Sequence, residues 1–211
     1  MSKRKISEPT IIRLSLYFGY LRQLYELGVT TVSSRIMADY FGFNPAQVRR
    51  DLASFGQFGK RGAGYQVEEL TWQIAEALGI DKSRQVIVVG AGNLGAALLA
   101  YQGFDVHGFK IVAAFDTDTS KIGQKIRGKK CIALAELPAF VRENNIEMAI
   151  LATPAEVSQS ILEFIAKAGI KAVLGFSPVQ LTVPKGVKLI TVDLAVKLKT
   201  LSYFLATNPE S

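Results

Sequence analysis

Hydrophobic spacing divides the sequence into two stretches with different periods. Over residues 10–27, Ile12, Leu16, Tyr20 and Leu24 fall four apart, the spacing of one helical stripe, and Gly28 supplies a stop. Ser33 or Ser34 can cap a short helix, RIMADYF, that Gly42 closes. Asn44 then offers a cap, and Pro45 a first residue, for a third helix, PAQVRRDLASF. On a helical wheel Val48, Leu52 and Phe55 share one side and predict its core face. Ala46, Arg50, Ala53 and Ser54 lie opposite, with Gln47 and Arg49 on the flanks. Four glycines among basic and aromatic residues in GQFGKRGAGYQV predict a tight hairpin, and a fourth helix spans about Val67 to Leu78 before Gly79. Helix, short helix, helix and glycine-rich hairpin is the order of a winged helix-turn-helix.

After a linker at residues 80–83, strand-length apolar runs alternate with helices. The runs are Gln85–Val89, Lys110–Phe115, Glu147–Ala152, Lys171–Phe176 and Val187–Val192. This βαβ rhythm predicts a parallel sheet. In the closing stretch VDLAVKLKTLSYFLATN, Leu194, Leu198, Leu201 and Leu205 keep a three-to-four spacing. They predict an amphipathic helix that packs on its own sheet or on a second subunit. The fold class is therefore α/β. A winged helix-turn-helix domain is expected over residues 1–80, a Rossmann-type parallel-sheet domain over 84–192, and a C-terminal helix and tail over 193–211.

Charge sharpens the division. The 211 residues carry a net +7, and residues 1–66 hold ten Lys/Arg against four Asp/Glu while residues 67–211 hold fifteen against fourteen. The excess sits where a polyanion would be met, although a solubilising surface would look the same. A solvent-facing helix more often carries Glu/Lys pairs. The third helix instead has Arg49 and Arg50 with one acid, Asp51, and small alanines that allow close approach to a groove. The candidate DNA contacts are Ser33, Ser34, Asn44, Pro45, Ala46, Gln47, Arg49, Arg50 and Ser54. Lys60 and Arg61 at the hairpin tip would meet phosphates or a minor groove. No apolar run is long enough to span a membrane, and the basic start MSKRKISEPT lacks the apolar stretch of a signal peptide. The one cysteine, Cys131, excludes an internal disulfide and fits a cytoplasmic protein.

Gly90, Ala91, Gly92, Asn93, Leu94 and Gly95 read G-x-G-x-x-G, directly after the strand QVIVV and opening the helix NLGAALLAYQ. Gly90 would make the tight turn, Gly92 would let backbone N–H groups reach a pyrophosphate, and Gly95 would let the helix pack on the strand. Asp116 ends the next strand, IVAAFD, and would accept ribose hydroxyls while repelling a 2′-phosphate. Thr117 follows it, Asp118 is a second candidate acid, and Lys121 lies close enough to soften that preference. Ala152, Thr153 and Pro154 end another strand near the sheet's crossover, and Phe176 ends the next. These positions suit contact with the nicotinamide half of a dinucleotide, although each also suits a plain strand-ending turn. The same pattern fits a SAM- or flavin-type nucleotide, a CoA-binding module or a dehydrogenase. A dehydrogenase would need a general acid or base, and the one histidine, His107, falls in a loop away from the glycine turn. No Cys/His cluster suggests a metal.

The stretch VSSRIMADYFGFNPAQVRRDLASFGQFGKRGAGYQVEEL (32–70), then VVGAGNLG, AAFDTD, the AIL-A-P segment and VDLAVKLKTLSYFL, resembles the Rex family of bacterial redox-sensing transcriptional repressors. Gly175 stands where the family's N-F-x-P has Asn, and Thr153 where Val is common. The resemblance implies a homodimer whose C-terminal helix is swapped into the partner. It implies binding of NADH and NAD+, repression from palindromic operators in double-stranded DNA, and release when the NADH/NAD+ ratio rises. It implies a pair between Arg22 on the first helix and Asp193 before the swapped helix. It also implies a nicotinamide-proximal tyrosine, Tyr101.

Overall fold

A computed structural model describes residues 6–56 and 64–207. The chain forms two compact units, Met1–Lys82 and Ser83–Ser211. In the first, the elements are α1 (Glu8–Glu26), β1 (Thr31–Val32), α2 (Ser34–Phe41), α3 (Pro45–Ala53), β2 (Tyr65–Gln66) and α4 (Val67–Leu78). Ser33, not Ser34, caps α2, its Oγ accepting from the Ile36 N–H at 3.1 Å. Asn44 Oδ1 accepts from the Ala46 N–H at 2.8 Å and starts α3 at Pro45. Val48 and Leu52 are buried beneath α3, with Phe55 packed beside them.

The apolar stripe of α1 differs from the expected one. The helix buries Leu14, Tyr17 and Leu21, while Ile12 and Leu16 are 55% and 45% exposed. Tyr20 and Leu24 pack only at the edge of the core. Apolar residues cover two neighbouring stripes of α1. The buried one is the stripe whose Tyr17 hydroxyl and adjacent Arg13 reach a polar partner, Asp51 on α3. β1 and β2 pair antiparallel, Val32 opposite Tyr65. The segment after the glycine-rich stretch is thereby returned to the strand that leads into α2. The hairpin tip, with Lys60 and Arg61, lies outside the described residues.

The second unit contains β3 (Arg84–Val89), α5 (Asn93–Ala100), α6 (Gly103–Val106), β4 (Phe109–Asp116), β5 (Lys125–Ile126), β6 (Lys129–Ala133), α7 (Leu137–Asn144), β7 (Met148–Leu151), α8 (Ala155–Lys167), β8 (Ala172–Gly175), β9 (Lys188–Thr191) and α9 (Leu194–Thr207). They build a seven-stranded sheet in the order β5-β6-β4-β3-β7-β8-β9, parallel except for β5. One face is covered by α7 and α8, and the other is covered over β3 and β4 but leaves a groove over Met148, Leu174 and Ile190; the central strands, buried on both sides, therefore read as unbroken apolar runs. Ile87, Val89, Phe115 and Leu151 pack with residues of α7 and α8. Val86, Val88, Ala114 and Ile150 face the other way, with Leu99 of α5. The short strands β5 and β6 escaped sequence reading, because Lys129 and Lys130 interrupt the apolar pattern. β6 buries Cys131. The chain crosses β3→α5→β4 to one side of β3 and returns through α7 to β7 on the other. A crevice therefore opens at the carboxyl ends of β3, β4 and β7.

None of the residues of α9 is buried, and Leu194, Leu198, Leu201 and Leu205 are 60% to 67% exposed. No described helix is long and apolar enough to cross a membrane.

Candidate dinucleotide cleft and nucleic-acid interface

The crevice is a cleft of about 620 Å³. Gly90 turns at φ +95°, where a Cβ would lie 2.5 Å from the Ala152 carbonyl oxygen. A Cβ on Gly95 would overlap the Gly90 carbonyl oxygen, so α5 can cross the strand end only with glycine there. At Gly92, the N-cap of α5, a Cβ meets nothing within 4 Å. The three glycines thus have separate roles: two are packed by the protein's own backbone and one faces open space. That open space lies at the positive end of a helix, which suits a phosphate. Asn93 and Leu94 line the cleft beside it.

Asp116, at the end of β4, lines the cleft beside the glycine turn. Its Oδ2 accepts from the Ala91 N–H at 2.8 Å and from Lys121 Nζ at 3.3 Å, and its Oδ1 from the Asp118 N–H at 2.9 Å. Burial pushes this carboxyl up, but the two backbone N–H groups and Lys121 outweigh it and hold the group below the usual carboxylate range. Thr117 and Lys121 also line the cleft. Asp118 does not; its Oδ1 accepts from the Ser120 N–H and hydroxyl, and its Oδ2 pairs with Lys121 at 3.2 Å. Of the two candidate acids, Asp116 is the one at the cleft. Lys121 answers both carboxylates.

The end beside β7 and β8 is apolar, formed by Ala152, Pro154, Val157, Ile161 and Phe176, while Leu134 follows β6 on the Asp116 side. Thr153 also lines it, through a side chain that meets two different partners. Its hydroxyl lies 3.0 Å from Ser158 Oγ, and the buried Ser158 hydroxyl in turn donates to the Pro154 carbonyl at 2.8 Å. Its methyl group packs toward Gly90. Thr153 therefore shows the glycine turn the same methyl a valine would. Leu134, Val157 and Ile161 were not legible as cleft residues, since they belong to elements whose apolar positions look like any other core.

Tyr101 is not brought into this cleft. As the C-cap of α5 it sits at the end of the helix away from Gly92, about 13 Å along the axis. It is 59% exposed, rests edge-on against Phe104 at 5.0 Å, and lines a separate groove with His107, Val86 and Ile111.

In the first unit the candidate DNA contacts gather on α2 and α3. Arg49 Nη1 donates to Ser34 Oγ at 3.1 Å. Ser54 Oγ donates to the Arg50 carbonyl, while Ser33 and Asn44 are engaged as caps. Pro45 and Ala46 open α3 beside them. Beneath Arg50 lies a network that sequence reading missed. Asp51, only 2% exposed, accepts from Arg13 Nε at 2.6 Å and Nη2 at 2.7 Å, from the Tyr17 hydroxyl at 3.0 Å and from Gln47 Nε2 at 2.8 Å. Burial raises the Asp51 carboxyl, but these donors outweigh it and leave it lowered. Hydrogen bonding to Asp51 raises Arg13, and burial raises Tyr17. Gln47 is thus not a free base-reading amide: its other end, Oε1, accepts from Arg50 Nη2 at 2.9 Å. A lone acid next to the core position Leu52, in a basic helix, was the signal available.

Arg22 lies 3.4 Å from Glu26 within α1, and Asp193 Oδ1 caps α9 by accepting from the Ala195 and Val196 N–H groups. The two belong to different units.

Residues 5–53 match a family model described as the N-terminus of putative DNA-binding proteins, and residues 81–179 match a CoA-binding domain model. A redox-sensing transcriptional repressor Rex from Carboxydothermus hydrogenoformans is 48% identical over 94% of this chain and 96% of its own. Its counterpart from Desulforamulus reducens is 45% identical over 98% of both. Among solved structures, the Rex-family repressor RSP with β-NAD+ and operator DNA aligns with a TM-score of 0.91 at 38% identity, covering 98% of this chain and 94% of that one. RSP with β-NADH aligns at 0.85 and 36% identity, covering 97% and 95%.

Proposed function

The chain belongs to the Rex family of redox-sensing transcriptional repressors, and from that premise we propose that its cleft reads the NADH/NAD+ ratio while α2 and α3 read a palindromic operator. The observation that carries the proposal is the glycine cradle: Gly92 opens onto free space at the α5 N-terminus, with Asp116 held beside the turn by the Ala91 N–H. In it, the backbone N–H groups at the start of α5 hold a pyrophosphate and Asp116 accepts a ribose hydroxyl. The bound dinucleotide supplies one chemical difference, a positive charge on the oxidised ring that the reduced ring lacks. Pro154, Val157, Ile161 and Phe176 give that ring no counter-charge, so they disfavour the cation by desolvation. Each ~1.4 kcal/mol of that penalty is tenfold in the affinity ratio.

Arg49, Arg50 and the start of α3 meet the major groove, with Lys60 and Arg61 toward phosphates. A homodimer places two such helices on one operator, which makes the site a palindrome. The four exposed leucines of α9 support a homodimer in which this helix packs on the second copy, with Arg22 and Asp193 as its interdomain pair and Tyr101 moved toward the cofactor. The protein acts as a cytoplasmic regulator and not as an enzyme, in keeping with the relatives named as transcriptional repressors. By linkage, operator must weaken NADH binding by the factor with which NADH weakens operator binding. Fluorescence anisotropy on a promoter duplex, with NADH and NAD+ added separately, tests this. Release by NADH and retention with NAD+ is expected; equal operator affinity with and without saturating NADH refutes it.

A further inference from the structure

We propose that Asp51 is a positioning residue for sequence reading: its carboxylate fixes the Gln47 amide, and that amide fixes the Arg50 guanidinium on the outer face of α3. The inference rests on the reading of α3 as the DNA-contacting helix. Asp51 is an acid in a helix otherwise basic, and it is buried rather than turned to solvent. A buried carboxylate has about four acceptor positions on its two oxygens. Here all are matched: two N–H groups of Arg13, the Tyr17 hydroxyl and the Gln47 amide.

A carboxylate only accepts. Gln47 must therefore present Nε2 to it, and the orientation of the amide is chemically forced. Oε1 then points away from Asp51, where it accepts from Arg50 Nη2. Gln47 stands four residues before Asp51 and three before Arg50, so the three share one side of the helix. The result is a continuous run of hydrogen bonds from α1 through a buried carboxylate to an exposed guanidinium. Arg50 keeps the remainder of its five N–H donors for a partner such as guanine O6 and N7. An anchor holding α1 to α3 would need only Arg13 and Asp51. The Gln47–Arg50 bond adds nothing to that anchor, because Arg50 is exposed. Its effect is to order a long side chain before DNA arrives, which removes an ordering cost from specific binding.

The test uses full-length wild type, Gln47→Met, Asp51→Asn and Arg50→Ala. Each selects from a duplex library with a randomised palindromic half-site, and each is melted thermally. Gln47→Met keeps the side-chain length and the Arg13–Asp51 pair while removing both amide hydrogen bonds. Arg50→Ala identifies the base position that Arg50 reads. Gln47→Met and Asp51→Asn should flatten the preference at that position alone, with a three- to tenfold loss of affinity for the selected site. Should Asp51→Asn fail to fold, Gln47→Met carries the test. A wild-type preference at that position in Gln47→Met overturns the proposal, and so does a uniform loss across all positions, the mark of a purely structural role. If Arg50→Ala changes no position, or if wild type selects no motif, the proposal also falls; the second result removes the DNA-reading role of α3 with it.

Discussion

Gly92→Asp should abolish cofactor response while leaving the fold intact, in contrast to Gly95→Ala a few residues away. The Gly92 backbone, φ −73° and ψ −167°, is extended geometry open to any residue, and its Cβ would enter free space. A carboxylate at this N-cap favours α5 by roughly 0.5–1 kcal/mol. The same carboxylate stands where the pyrophosphate must come. Two like charges about 4 Å apart repel by about 4 kcal/mol at an effective dielectric of 20 and about 1 kcal/mol in bulk water. The cleft lies between these limits, so NADH affinity should fall by roughly 5- to 700-fold. At Gly95, by contrast, a methyl group overlaps the Gly90 carbonyl oxygen. Overpacking of that kind costs about 1–3 kcal/mol, and each kcal/mol is roughly 2–4 °C in Tm for a chain of this size. Calorimetric NADH titration and thermal melting of both variants separate the two roles. Near wild-type NADH affinity in Gly92→Asp, or a melting loss in it as large as that of Gly95→Ala, refutes the division of labour among the glycines.

Two further outcomes follow from the same geometry. If the proposed homodimer forms through α9, Leu198→Asp combined with Leu201→Asp should give a monomer in sedimentation velocity; a dimer that persists removes α9 as the contact. Asp51 is held below its ordinary range in the folded protein, so its stabilisation is complete above about pH 4 and is lost as pH falls through the folded value. The melting gap between wild type and Asp51→Asn should therefore narrow below pH 4, and a gap constant from pH 7 to pH 3 refutes this.

The legible parts of the chain were those where local chemistry and tertiary packing agree. The central parallel strands could be read because burial on both faces makes them continuous apolar runs. The caps at Ser33 and Asn44 could be read because an N-cap is a local hydrogen bond. The stripe of α1 could not: its helix is apolar on two adjacent lines, and the choice between them depends on Asp51, thirty-four residues beyond Tyr17. Gln47 looked like a free donor for the same reason, since its partner becomes visible only when α3 is placed against α1. Tyr101 came from resemblance to a family, not from spacing, and α5 carries it away from the glycine turn. The walls contributed by Leu134, Val157 and Ile161 depend on which helices flank the crevice, and periodicity alone does not encode that.

Asp116 shows how much the cleft wall is determined before any ligand arrives. A carboxylate offers about four acceptor positions. Ala91 and Lys121 occupy those of Oδ2, and Asp118 occupies one on Oδ1. One position remains, enough for a single ribose hydroxyl without disturbing the glycine turn. A second hydroxyl bond must displace Lys121, which Asp118 is placed to retain. A 2′-phosphate fares worse, because Lys121, the cation among the cleft-lining residues, is already bound to two carboxylates. Two carboxylates against one lysine leave the wall net negative, so a dinucleotide without that phosphate is the expected ligand, while Lys121 cancels part of that charge and tempers the preference.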